Sequence, residues 1–299
     1  MTFRKRCELF LAAAVSLAWM LSAFAAGVLA EGAIHPILKR RASDTQALVN
    51  SVARTTGATA RKVSITSRDG IKLDAWWLAR PDAGSPGVMV CHGVADSAFG
   101  AMGFALLFLN HGYSILLPES RGHGESGGFV TYGVLEAGDV VQWLGWMNSN
   151  GITSVYGFGE SLGAAILVQA LAGGAEFRSI VAESPYTSFE DIADERVGRE
   201  VPSPVAMLLV REGIWYVRVR HGMNLMNARV DEAITRVHSP ILLVHGLADN
   251  ETSPQNSIRL AQLNSEWTTL WLVAGARHTG AYAADPVGFE NRVLGGFDN

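Results

Sequence analysis

Cysteine is nearly absent from this chain: two residues of 299, Cys7 and Cys91. Cys7 falls inside an apolar leader and Cys91 inside an apolar strand-like run, so a processed chain cannot form an intradomain disulfide and Cys91 reads as a core residue. The count therefore argues neither for nor against an oxidising compartment. Charge is also sparse, at 17% of residues with a net charge of -4. The basic residues are scattered rather than clustered, which removes the electrostatic footprint of a nucleic-acid partner. The histidines lack metal-ligand spacing, so no metal is implied. There is no internal repeat and no low-complexity tract.

What is abundant is apolar residues, 48% of the chain, with much of the excess at the amino terminus. Arg4, Lys5 and Arg6 precede an apolar run from Leu9 to Ala30, the order of an export signal. Ala23-Phe24-Ala25 before Ala26, or Val28-Leu29-Ala30 before Glu31, offers the small residues that signal peptidase requires. The run also reaches the roughly 20 residues that span a bilayer. Residues 1–30 are thus expected to be a signal peptide or a membrane anchor outside the fold, with membrane contact through residues 9–30 if uncleaved. Lys39, Arg40 and Arg41 partly balance the first basic cluster. The expectation is a cell-envelope protein, exported or anchored, whose catalytic domain is extracytoplasmic.

Residues 31–61 read as a connector with room for one helical stretch, and a single domain is expected over 62–299. Its first element is a hairpin, Lys62 to Thr66 and Ile71 to Ala79 around Asp69-Gly70. Short apolar runs then alternate with helix-length segments: strands are expected at 88–91, 114–117, 154–158, 179–182, 241–244 and 269–273. Runs of this kind suit strands buried on both faces of a parallel sheet. The fold class is α/β, a doubly wound, mostly parallel sheet opening with an antiparallel hairpin. One break in the alternation, about 186–239, reads as a helical cap insertion.

Gly159-Glu160-Ser161-Leu162-Gly163 follows a strand and opens a small-residue helix, as a nucleophile elbow must. The serine of such an elbow sits on a strained turn, and the flanking glycines let the backbones pass. A serine needs a base, and the base an orienting acid, at strand ends further along in the order Ser, acid, His. His245-Gly246-Leu247-Ala248-Asp249 follows one strand and Gly275-Ala276-Arg277-His278 the next, so Ser161, His278 and Asp249 are the expected nucleophile, base and orienter. Glu183, just past another strand, is the minor alternative to Asp249. Oxyanion stabilisation is expected from the N–H groups of Leu162 and of Val94, aimed by Gly93; His92 reads as structural, and Trp76 and Trp77 as packing residues.

These residues resemble the α/β-hydrolase superfamily, in particular the branch of prolyl-oligopeptidase-like and serine-aminopeptidase-like hydrolases. The resemblance rests on His92-Gly93, on Pro118 to Ser126 with its Arg-Gly-His-Gly core, on the elbow, on His245 to Asp249 with Pro254, and on His278. It implies the α/β-hydrolase fold and acyl-enzyme hydrolysis without a cofactor. The expected activity is cleavage of a carboxylic ester or related acyl bond in a small-molecule ester, acyl or short peptide substrate. Peptidase, aminopeptidase-like or acyl-protein thioesterase activity is the alternative. Glu119 stands where such sequences usually have Asp, a structural position. Two distant rivals are a dinucleotide-binding oxidoreductase, from Gly122-His123-Gly124-Glu125-Ser126-Gly127, and a non-catalytic binding protein on a hydrolase scaffold.

Overall fold

A computed structural model describes residues 2–38, 42–82 and 84–298; the basic triplet at 39–41 lies outside them. Eight strands form one sheet in the order β1-β2-β4-β3-β5-β6-β7-β8. The hairpin strands β1 (Thr59–Thr66) and β2 (Lys72–Ala79) are antiparallel, and β2 also runs antiparallel to β4 (Ser114–Pro118). From β4 onward, β3 (Gly87–Cys91), β5 (Val155–Glu160), β6 (Ile180–Glu183), β7 (Ile241–Gly246) and β8 (Thr268–Val273) pair in parallel.

The near-continuous apolar strands are explained by helices on both faces. Successive side chains on a strand point to opposite faces. Accordingly Trp76, Val88, Ile115 and Phe158 enter one buried cluster, while Trp77, Met89 and Leu116 enter the other. The first cluster packs under α3 (Met102–Asn110) and α11 (Pro286–Asp298), the second under α4 (Glu136–Ser149) and α5 (Leu162–Ala172). Cys91 is buried in the second, and burial pushes its thiol up to about 12.

The Arg-Gly-His-Gly loop is held in place by charge. Arg121, almost fully buried, makes paired hydrogen bonds to Asp139 on α4 (2.6 and 2.8 Å) and to Asp69 in the hairpin turn (2.7 and 2.8 Å), the bidentate geometry a guanidinium favours. No helix begins at the glycines of this loop, since the next is α4 at Glu136. A dinucleotide fingerprint would need a helix amino end there.

Between β6 and β7 lies the insertion, with α6 (Phe189–Val197), α7 (Ser203–His221) and α8 (Val230–Ile234). Two segments ahead of the hairpin pack on the domain. The amino-terminal helix α1 runs from Phe3 to Ile34, past the expected end at residue 30, and buries Ala26, Gly27, Ala30 and Ile34. The segment expected to be a connector contains α2 (Ala42–Thr56), whose Val49 and Val52 join the first cluster. In each case an apolar stripe of only three or four residues per two turns seats the helix on the domain. That stripe is too short to stand out against an all-apolar leader or a polar linker.

Candidate active site

Strand β5 ends at Glu160 and α5 begins at Leu162, leaving Ser161 alone to make the turn. Its backbone sits at φ 51°, ψ -109°, a region costly for a residue with a Cβ. The turn is possible because its flanks carry no side chain. A Cβ on Gly159 would lie 2.6 Å from the Gly163 carbonyl and the Ala164 nitrogen, and one on Gly163 would lie 2.2 Å from the Cys91 oxygen. The Ser161 amide donates to the Glu183 carbonyl (2.8 Å), tying the turn to β6.

Among the described residues, five non-glycine positions have positive φ: Ala95, Tyr132, Ser161, Ser184 and Thr279. Four of them are candidate residues or their immediate neighbours, following Val94, Glu183 and His278 in the chain. Backbone strain is thus concentrated around one point, as it is at functional sites.

The carboxyl ends of β7 and β8 bring the other candidates together. His278 Nδ1 lies 2.8 Å from Asp249 Oδ2. The other carboxylate oxygen, Oδ1, accepts from the amides of Glu251 (2.8 Å) and Thr252 (2.9 Å). A second histidine, His245, reaches Asp249 Oδ2 at 3.3 Å. It is completely buried, with Nε2 2.9 Å from the Thr252 carbonyl and Nδ1 2.7 Å from Ser257 Oγ. Burial opposes the charge on Asp249, but the hydrogen bonds from His245, His278 and Thr252 outweigh it and hold the carboxyl far below the usual range. An ionised Asp249 fixes the proton of neutral His278 on Nδ1 and leaves Nε2 as the acceptor. Ser161 Oγ makes no hydrogen bond to any described residue, and such contacts commonly tighten only when substrate is bound.

Glu183 does not reach His278 by hydrogen bond; its Oε1 accepts from the Ala281 amide (2.9 Å). Of the two carboxylates considered as orienter, the structure brings Asp249 to the histidine. Glu183 instead pairs in register with Glu160 on β5, and both side chains are buried. Burial raises the Glu183 carboxyl to about 7, opposed in part by the Ala281 amide and the two histidines. Burial and the charge of Glu183 push Glu160 well above the usual range. Sequence patterning missed this pair and His245, because strand-end position alone does not say which side chains turn inward.

Gly93 faces the elbow: a Cβ there would lie 3.6 Å from Ser161 Cβ. The next amide, that of Val94, and the amide of Leu162 donate no hydrogen bond to any described residue. An oxyanion requires N–H groups left free in this way; Leu162 opens the helix after the serine, and Val94 follows the glycine that faces it. His92 is buried, accepts from the Ser120 amide (3.2 Å) and approaches Glu119 (3.5 Å), so it braces the loop.

Val94 and Ala95 also line a cavity of about 470 Å³, in the range of small-molecule sites. Its other walls are residues of α1, α6 and α7 with Pro36, Ile37, Tyr132 and Leu225, and Arg196 is the single charged residue among the described lining residues.

A model of the X-Pro dipeptidyl-peptidase (S15) family matches residues 35–208. The chain is 25% identical over 244 residues to the uncharacterized protein YqkD of Bacillus subtilis, covering 79% of this chain and 78% of that one. It is 28% identical over 237 residues to the uncharacterized protein Rv2307c of Mycobacterium tuberculosis, covering 78% and 76%. Among solved structures it resembles the esterase Pf2001 of Pyrococcus furiosus, with TM-score 0.66 and 22% identity over 82% of this chain and 94% of that one.

Proposed function

The chain belongs to the X-Pro dipeptidyl-peptidase (S15) family of serine hydrolases with the α/β-hydrolase fold, and from that premise we propose that it cleaves carboxylic esters through an acyl-enzyme on Ser161. The observation that carries the proposal is the 2.8 Å contact between His278 and Asp249 at the strand ends beside the strained serine turn. In this reading His278 Nε2 takes the proton of Ser161 Oγ as the oxygen attacks the substrate carbonyl. The tetrahedral oxyanion receives the amides of Val94 and Leu162. Imidazolium, stabilised by Asp249, then returns the proton to the leaving alcohol. Water repeats the sequence on the acyl-enzyme and releases the acid.

Ester rather than peptide specificity is argued from the cavity. An enzyme that recognises a free amino terminus needs an anion to receive the ammonium, and among the described residues lining the cavity beside Val94 the one charged group is the cation Arg196. Family membership favours the peptidase alternative, and a panel of nitrophenyl esters of rising chain length against aminoacyl amides decides between them. Fluorophosphonate labelling should appear in the native protein and vanish in Ser161→Ala. Full labelling of Ser161→Ala would remove Ser161 from the nucleophile role.

The same proposal places the catalytic domain in the cell envelope, outside the cytoplasm, held by α1. This 32-residue helix is long and apolar enough to cross a membrane. An export-dependent reporter fused after residue 45 should be active, and one active only in the cytosol would overturn the placement.

A further inference from the structure

Helix α1 changes character along its length. Residues 2–21 are exposed throughout, whereas Ala26, Gly27, Ala30 and Ile34 are buried. The buried part crosses α7 at close range because both helices offer glycine there. A Cβ on Gly27 would lie 3.5 Å from the Tyr216 ring, and one on Gly213 would lie 3.3 Å from the Ala26 carbonyl. Small residues at such a crossing let the backbones approach. Polar contacts fix it at intervals: Ser22 to Glu212 (3.2 Å), and Tyr216 and His221 both to Glu31 Oε1 (2.8 Å each). Two more join α1 to the catalytic domain, Tyr132 OH to the Ala33 carbonyl (3.0 Å) and the Val130 amide to the Ile34 carbonyl (3.0 Å).

This clamped segment faces the cavity that begins at Val94. Ala26, Leu29, Ala30 and Ala33 of α1, with Pro36 and Ile37 beyond it, form the wall opposite α6 and α7. The outer side of α1 is apolar and exposed from Leu9 to Leu29, and α7 continues that surface with Leu208, Trp215 and Val219. Arg211 and Arg218 of α7 are exposed beside them, the mixture of aromatic, aliphatic and basic groups that suits a bilayer interface.

We infer that residues 26–37 are a working wall of the acyl-binding cavity, and that the acyl chain it takes is lipid-derived and presented by the bilayer that α1 crosses. This rests on the serine-esterase reading above. It adds a role for the leader: α1 is retained, because removing it would open one side of the substrate site.

The test uses the full chain in phosphatidylcholine vesicles with nitrophenyl esters from two to fourteen acyl carbons. Native kcat/KM should climb about fourfold for each methylene the cavity buries and then level off. Leu29→Trp and Ala33→Trp each place an indole in the cavity from the α1 side. They should cut turnover of the longest esters at least tenfold more than turnover of the acetate, moving the preferred chain at least two carbons shorter. Leu17→Trp, on the exposed half, should leave the profile as it is. Leu29 is about half exposed, so Leu29→Ala tolerates folding and provides the converse variant, in which the profile extends to longer chains. Folded variants with the native profile would overturn the inference. So would a mature chain, measured by intact mass, that begins at Ala26 or Glu31. Fluorophosphonate labelling separates the two readings: its absence in the native protein would sink the esterase assignment, whereas labelling with unchanged chain-length profiles sinks the wall alone.

Discussion

Replacing Asp249 with Asn exchanges one oxygen for an NH2 group, and the surrounding hydrogen bonds decide which oxygen is lost. Oδ1 is pinned by two amide donors, from Glu251 and Thr252. An Asn at this position therefore keeps its carbonyl oxygen there and turns its NH2 toward His278 Nδ1. A donor facing Nδ1 requires that nitrogen to be unprotonated, which moves the imidazole proton to Nε2, the atom that accepts from Ser161 in the proposed mechanism. The productive tautomer is lost while the fold is kept. In the serine-protease precedent such a change lowers kcat about 10⁴-fold, or about 5 kcal/mol of barrier, and a similar loss is expected here. A small stability cost, about 1–2 kcal/mol, should accompany it, because the new NH2 also meets His245 Nε2 at the 3.3 Å contact. The assay is kcat/KM on a short nitrophenyl ester with Tm measured in parallel, and nitrogen NMR of His278 reads the tautomer directly. Glu183→Gln is the control and should lose far less activity. If Asp249→Asn kept most of its activity while Glu183→Gln lost it, the orienting acid would be Glu183 and the tautomer reasoning would fail.

Glu183→Gln also carries a stability prediction. With its folded pKa at about 7 against an ordinary 4.5, Glu183 binds more protons folded than unfolded, so its contribution is present below about pH 4.5 and is lost as pH rises through about 7. The native protein should lose up to about 3 kcal/mol from this group across that window, and Tm of Glu183→Gln relative to native should rise by the corresponding amount between pH 5 and pH 8; parallel Tm curves would refute it. Gly163→Ala places a methyl 2.2 Å from the Cys91 carbonyl, where backbone must move, so a loss of at least about 1–3 kcal/mol in denaturant titration and collapse of fluorophosphonate labelling are expected. A variant with native Tm and labelling would show that the turn has slack.

Much of the sheet was legible because its strands are buried on both faces and so read as apolar runs between turn residues. The serine turn was legible because Gly159 and Gly163 are demanded by clearances that no other residue satisfies. That Asp249 and His278 meet was legible from strand-end position and order. Other features depend on which side chains converge across distant elements, and no local pattern encodes that. Glu160 opposite Glu183, His245 against Asp249, and Glu31 under Tyr216 and His221 are all of this kind. The burial of Ala26 and Ala30 was masked for a different reason: in an all-apolar helix, the face that packs on protein carries the same residues as the face that does not.

The crossing of α1 and α7 has a consequence for the order of assembly. Ser22 and Glu212, which meet there, are 190 residues apart in the chain. At about 5–20 residues per second of synthesis, roughly 10–40 s pass between the emergence of the first partner and that of the second. Throughout that interval the face carrying Ala26 and Gly27 lacks the α7 residues, Gly213 and Tyr216, that cover it. In water an uncovered apolar helix is an invitation to aggregate, whereas in lipid it is already solvated. A nascent chain whose leader enters the bilayer early can therefore wait for its cap helix without a chaperone on that face. The same chain made without a membrane at hand should need one.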